Sequence, residues 1–168
     1  MVTSTDISLG DRLKTFDGFL ERLAREEGMS TFALVGHLPE SGCQVVPGAR
    51  MQEILHDVAD WGAVLFITEG NGVITGTSAV LPKIFLHDGY YHFFGESGFG
   101  GHIAEHGVQN IAFIDRPFQG RRSLSIHFYD PVGEPMFKVF LSRELNGDMK
   151  ADQIDRYFAL KARLMDEV

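Results

Sequence analysis

Residues 121–141 read Arg121-Arg122-Ser123-Leu124-Ser125-Ile126-His127-Phe128-Tyr129-Asp130-Pro131-Val132-Gly133-Glu134-Pro135-Met136-Phe137-Lys138-Val139-Phe140-Leu141. Leu124, Ile126 and Phe128 alternate with Ser123, Ser125 and His127, the period of two by which a strand places apolar side chains on one face. Asp130-Pro131-Val132-Gly133 supplies turn residues, and Met136 to Leu141 runs back. The stretch therefore predicts an antiparallel hairpin. Upstream segments follow the same rule. Ala63 to Thr68 turns through Gly70-Asn71-Gly72 into Val73 to Ala79, Lys83 to His87 meets Tyr90 to Phe94 across Asp88-Gly89, and Ile111 to Ile114 is another apolar run. From residue 63 to about 145 the chain reads as successive hairpins with no alternation of helix and strand, which predicts a barrel or a strongly curved sheet.

Helices flank this region. Leu9, Leu13, Phe16, Leu20 and Leu23 recur at spacings of four and three, as in one amphipathic helix that stops at Gly28. Ser30 or Thr31 then caps a short helix carrying Phe32, Leu34, Val35 and Leu38. Met51, Ile54, Leu55 and Val58 share a face of a third helix, from about Ala49 to Asp60. Ile154, Tyr157, Phe158, Ala162 and Met165 do the same between Ala151 and Met165, with Asp148 and Asp152 near the positive end. The expected architecture is α+β: an antiparallel split-barrel-like β-sheet with N-terminal helices and a C-terminal helix packed on it. One domain spans 1–168, with an N-terminal helical pair at 1–40, a helix plus the sheet at 41–145 and the C-terminal helix at 146–168.

A chain of 168 residues, 44% of them hydrophobic, has enough apolar surface for one core. Fifteen basic residues against 23 acidic ones, a net charge of −8, disfavour a general nucleic-acid binder or a membrane-surface protein. The polar first eight residues lack the features of a secretory signal, and no stretch approaches a membrane span, so a cytoplasmic protein is expected. Cys43 is the only cysteine, which excludes an internal disulfide and cysteine-rich metal sites.

Residues 20–38 resemble a helix-turn-helix in spacing, but the second helix offers Ser30, Thr31 and His37 and no cation, so DNA binding is a minor alternative. Gly95-Glu96-Ser97-Gly98-Phe99 breaks the hydrolase elbow at its last position, and no phosphate loop or dinucleotide fingerprint is present. His102 and His106 have the spacing of a helical metal chelate, yet Gly100, Gly101 and Gly107 oppose a helix there. The stretch from Gly89 to Arg122 nevertheless concentrates tyrosines, histidines, phenylalanines and arginines between glycines. A haem site uses all four: imidazole or phenolate for iron, aromatic faces for the macrocycle and guanidinium for propionates. In a strand over 90–94, Tyr90, His92 and Phe94 point one way and Tyr91 and Phe93 the other. Arg116, Arg121 and Arg122 surround a tight loop at Pro117-Phe118-Gln119-Gly120, where solvated arginines are the default.

Several motifs in order give a resemblance. Trp61-Gly62 before a strand, Gly89-Tyr90, Gly100-Gly101-His102-Ile103, Ile114-Asp115-Arg116-Pro117-Phe118, Gly120-Arg121-Arg122-Ser123 and Met136-Phe137-Lys138-Val139-Phe140 are similar to the cytosolic haem-utilisation carriers of the HutX/ChuX type. The match runs from about residue 15 to 165. It implies a homodimer that receives imported haem (heme b) and passes it to a haem-degrading enzyme, without turnover of its own. It places the iron ligand at Tyr90 or His102, with Tyr91, Phe94, Arg121 and Arg122 as further haem-binding candidates. Where some members carry a histidine near the end of the strand after Trp-Gly, this chain has Glu69, so a two-histidine site is not expected. The alternative is an enzyme on a split barrel, either a haem-degrading oxygenase or a flavin-dependent reductase with Arg121-Arg122-Ser123 on the flavin phosphate.

Overall fold

The computed structural model describes residues 7–96 and 98–167; residues 1–6 of the polar N-terminal stretch lie outside this range. The hairpin read from residues 121–141 is present as β8 (Arg121–Tyr129) and β9 (Pro135–Phe140), joined through the Asp130 turn. Asp130 Oδ1 accepts the backbone N–H groups of Val132 and Glu134, both at 2.9 Å, which closes that turn. β8 also pairs with β7 (Asn110–Phe118), and β9 with β2 (Ala63–Gly70). β1 (Cys43–Pro47) and β3 (Val73–Val80) are the edges, giving the order β1-β7-β8-β9-β2-β3, antiparallel throughout. A second sheet of three strands, β4 (Phe85–His87), β5 (Tyr90–Phe94) and β6 (Gly100–Ala104), stands apart from it. The expected barrel is thus two open sheets in a split-barrel-like arrangement.

Three hairpins turn on two residues with positive φ: Asn71-Gly72, Asp88-Gly89 and Gln119-Gly120. This pattern matches the right-handed twist of the flanking strands, and glycine takes the second position at no steric cost. The third turn corrects the loop expected at 117–120, because Arg116, Pro117 and Phe118 belong to β7 and only two residues turn.

Different elements cover the two faces of the large sheet. On one face Phe66, Phe113, Leu124, Ile126, Phe128, Phe137 and Val139 meet α4 (Met51–Val58), α5 (Ala151–Asp166) and the small sheet in one core. On the other, Ala112, Ile114 and Tyr129 meet α1 (Leu9–Thr15), α2 (Leu20–Glu27) and α3 (Thr31–Val35). α5 is tied to the start of β2 by the fully buried Gln153, whose Nε2 donates to the carbonyls of Trp61 and Ala63 at 3.0 and 2.8 Å.

The single helix expected over 9–23 is two helices. Phe16 takes an extended conformation after α1, and Ser8 and the left-handed Gly28 bound the pair. The break is held from outside. Arg116 donates to the carbonyls of Phe16 and Gly18 at 2.9 and 2.8 Å, and Asp17 accepts the backbone N–H groups of Gln119 and Gly120. The apolar period survives because Leu13, Leu20 and Leu23 still enter one cluster, but the hairpin tip competes successfully for the intervening carbonyls. Arg116 is consequently buried, contrary to the solvated arginine expected there. The sequence pattern does not predict β1, and the first turn of the third helix is a 3-10 turn, Gly48–Arg50.

Arg116→Met should therefore lower stability by about 1–3 kcal/mol in urea unfolding, because two partly buried carbonyls lose their shared charged donor. Hydrogen exchange should accelerate in residues 9–20 before the strands respond.

Candidate functional site

The small sheet has one packed face and one open face. Leu86, Tyr91, Phe93, Gly101 and Ile103 alternate with the outward set; Ile103 belongs to the main core, and the partly buried Tyr91 and Phe93 pack against it. The space left between Leu55, Phe66, Phe93 and Ile103 is only about 10 Å³, so this contact is filled. The outward face carries Phe85 and His87 from β4, Tyr90, His92 and Phe94 from β5, and His102 from β6, with Phe85 opposite His92 and His92 opposite His102. Tyr90 is 50% and Phe94 62% exposed, high values for aromatic residues in a sheet.

Glycines make this face possible. A Cβ on Gly100 would meet the Phe93 carbonyl oxygen at 2.8 Å and Phe94 Cδ1 at 3.1 Å, and one on Gly101 would meet Phe93 Cζ at 3.0 Å. The two glycines therefore let Phe94 settle over β6 on the outside and Phe93 on the inside.

The imidazoles and phenol converge. The ring centroids of His92 and His102 are 4.6 Å apart at 86°, Tyr90 lies edge-on to His102 at 6.4 Å, and Phe94 flanks His102 at 5.5 Å. His102 Nδ1 is 3.0 Å from His92 Nδ1, and His92 Nε2 is 3.0 Å from the His87 carbonyl oxygen. Among the described residues no group of three or more His, Cys, Asp or Glu side chains is arranged to hold a bare metal ion. Tyr90 or His102 would instead offer a single donor to an iron already held in a macrocycle. His106 lies past β6 and takes no part in the cluster.

The other expected haem contacts are elsewhere. Tyr91 faces inward. Arg121 and Arg122 start β8, where Arg122 forms a bidentate pair with Asp115 at 2.9 and 2.6 Å and Arg121 donates to the Gly147 carbonyl at 3.1 Å. Strand alternation puts Arg121 and Ser123 on one face of the sheet and Arg122 on the other, so Arg121-Arg122-Ser123 does not converge on one flavin phosphate. The helix-turn-helix likeness likewise ends at its spacing: α3 has five residues, and Thr31, Leu34 and Val35 are buried.

Glu69 also has its own task. Lys138 lies between Glu69, at 3.0 Å, and Glu21 of α2, with Lys138 and Glu69 side chains each 7% exposed. This ion cluster joins α2 to β9 and β2. Burial, opposed by Lys138 and assisted by Glu21, pushes the Glu69 carboxyl up to about 6. Burial also works against the Glu21 charge, but Lys138 outweighs it and lowers that group. Next to the cluster, His127 is held neutral, first by complete burial and then by the Lys138 and Arg116 charges; it contacts Ser125 Oγ at 2.8 Å and the Tyr129 hydroxyl at 3.2 Å. The alternation along β8 marked these polar residues, but only the position of α1–α3 makes them interior. Beyond this network a groove of about 710 Å³ opens between Phe19, Leu65, Ile67 and Phe140, with Arg121 and Arg143 at its margin.

An antiparallel α+β unit with a histidine and tyrosine face defines the structural class, and comparison with known proteins gives the family. Residues 44–160 match the model of the family described as haem utilisation ChuX/HutX, and the chain belongs to it. It is 31% identical over 140 residues to the intracellular heme transport protein HutX of Vibrio cholerae serotype O1, covering 83% of this chain and 72% of that protein. Among solved structures, a protein from Erwinia carotovora superposes with a TM-score of 0.90 at 33% identity, covering 94% of this chain and 99% of that one. The heme-binding protein ChuX gives 0.86 at 32% identity, covering 94% and 99%.

Glu69 holds its proton more tightly in the folded chain than its ordinary value of 4.5 allows, so its contribution to stability declines as pH rises from 4.5 to about 6. Glu69→Gln removes that titration. Its stability relative to the unaltered protein should improve across this window and level off above it, by about 1–2 kcal/mol in urea unfolding. A difference independent of pH would refute the assignment.

Proposed function

We propose that this protein is a cytoplasmic haem carrier that takes up imported haem and hands it to a haem-degrading enzyme, without transforming it. The observation that carries the reading is the open face of the small sheet, where Tyr90 and His102 stand on adjacent strands beside Phe94. Family membership supports it, as does the donor chemistry: a phenol and an imidazole whose Nε2 has no hydrogen-bond partner among the described residues. Bound haem brings a ferric iron that accepts such a ligand. Tyr90 or His102 binds the iron, Phe94 and Phe85 offer apolar surface to the macrocycle, and Tyr91 anchors the strand from behind.

The openness of this face suits a carrier. A ligand held against one exposed sheet can leave to a recipient without a large opening of the fold. A homodimer is part of the same proposal, because Val73, Ile74 and Val80 of the edge strand β3 expose apolar surface that a second copy would cover. Arg121 and Arg122 have no contact with this face within one chain, and they reach haem propionates only if a second copy supplies them.

Titration with ferric haem should give one-to-one saturation and a shifted Soret band. Tyr90→Phe or His102→Ala should move the spectrum or weaken binding, and His106→Ala should leave both nearly unchanged. Failure of the unaltered protein to saturate would remove the carrier reading. Unchanged behaviour of both the Tyr90 and His102 variants would place the ligand elsewhere.

A further inference from the structure

We infer that His92 is a positioning residue that sets the tautomer of His102 and so leaves His102 Nε2 bare on the open face as the iron-binding atom. The inference rests on the proposed haem site and concerns which atom is available there.

Donor and acceptor chemistry fixes where the protons sit. The His87 carbonyl oxygen can only accept, so His92 Nε2, 3.0 Å away, must carry the proton. A neutral imidazole carries one N–H, which leaves His92 Nδ1 as an acceptor. His102 Nδ1 is 3.0 Å from that atom and must therefore donate. The proton of neutral His102 then sits on Nδ1, and Nε2 keeps its lone pair. An imidazole with no such partner in water favours the proton on Nε2, the nitrogen that a metal would need. The short relay from His102 through His92 to a backbone carbonyl reverses this preference before any ligand arrives.

The rings are held for the purpose. Phe85 stacks on His92 with centroids 5.2 Å apart and planes 12° from parallel, which fixes the imidazole plane. The His92 and His102 rings are 86° apart, so the Nδ1 atoms meet while the rings do not stack. Cross-strand pairing of His92 with His102 sets the separation, and pairing of β4 with β5 supplies the carbonyl. A ligating histidine whose second nitrogen donates to a fixed acceptor is also more basic and better oriented, and loss of such a partner commonly weakens metal binding about 10–100-fold.

The test has a readout in the absence of haem. Two-bond proton–nitrogen correlation spectra of the 15N-labelled protein should show His102 protonated on Nδ1 and His92 on Nε2. In His92→Phe, which keeps a ring against Phe85, His102 should revert to the form protonated on Nε2. His92→Gln, with a carboxamide oxygen as acceptor, should restore the Nδ1 form at least in part. With ferric haem, His92→Phe should bind about 10–100-fold more weakly or show an altered ligand-to-iron spectrum, with partial rescue by His92→Gln. A His102 protonated on Nε2 in the unaltered protein, or a tautomer that His92→Phe does not change, overturns the relay. Haem binding unchanged in both His92→Phe and His102→Ala overturns the ligand role of His102 together with the site reading, whereas the spectra without haem decide the tautomer separately.

Discussion

β8 is covered on both sides, and most of the architecture follows from how the two coverings differ. Leu124, Ile126 and Phe128 press into the apolar core with α4, α5 and the small sheet, while Ser125, His127 and Tyr129 lie under the N-terminal helices. Burying a polar row is costly unless its hydrogen bonds are met. Here the row is partnered internally: His127 reaches Ser125 and Tyr129, and Lys138 beside it is neutralised by Glu21 and Glu69. α2 supplies one of those carboxylates, so the N-terminal helices close the polar side of β8, while α4, α5 and the small sheet close the apolar one. Arg116 completes the closure by taking the carbonyls that the break between α1 and α2 exposes.

The small sheet follows a different rule. Only one of its faces is packed, and the other presents Tyr90, His92, His102 and Phe94 to the surroundings with no helix over it among the described residues. An antiparallel sheet tolerates this arrangement well. Its alternation separates Tyr91, which anchors, from Tyr90, which is available, although the two are adjacent in the chain. The same geometry pairs His92 with His102 across strands and brings a carbonyl of the third strand within reach. A face built this way can hold a ligand whose coordination needs are mostly met by its own macrocycle.

The polar cluster at Glu69 and the open face at Tyr90 and His102 belong to different parts of the molecule. The Glu69 carboxylate near the end of β2 is engaged by Lys138 and contributes to the join between α2 and the large sheet. Structural charge and candidate iron ligands are therefore separated, and a substitution in one region need not disturb the other. Cys43 is similarly remote from the candidate chemistry: burial pushes its thiol up to about 11, so it behaves as a small interior side chain.

Local signals in the chain were sufficient for the hairpins, because period-two alternation and positive-φ turn pairs such as Asp88-Gly89 act over a few residues. They were also sufficient for the opposite orientations of Tyr90 and Tyr91, and motif order was sufficient for the family. Other features depended on contacts between distant residues. Leu9 to Leu23 has an unbroken helical period, yet Arg116, about a hundred positions away, captures the carbonyls at Phe16 and Gly18. β1 has no distinctive pattern of its own and exists because β7 offers it an edge. The glycines of Gly100-Gly101-His102 oppose a helix but do not by themselves specify a strand, and the segment becomes one where Phe93 and Phe94 need the space. The sequence alone therefore determined which side chains could serve a haem ligand, since residue chemistry and alternation are local. Tertiary structure decided which of them meet, because cross-strand register places His92 against His102, and which arginines do not, because Arg121 and Arg122 begin a strand of the other sheet.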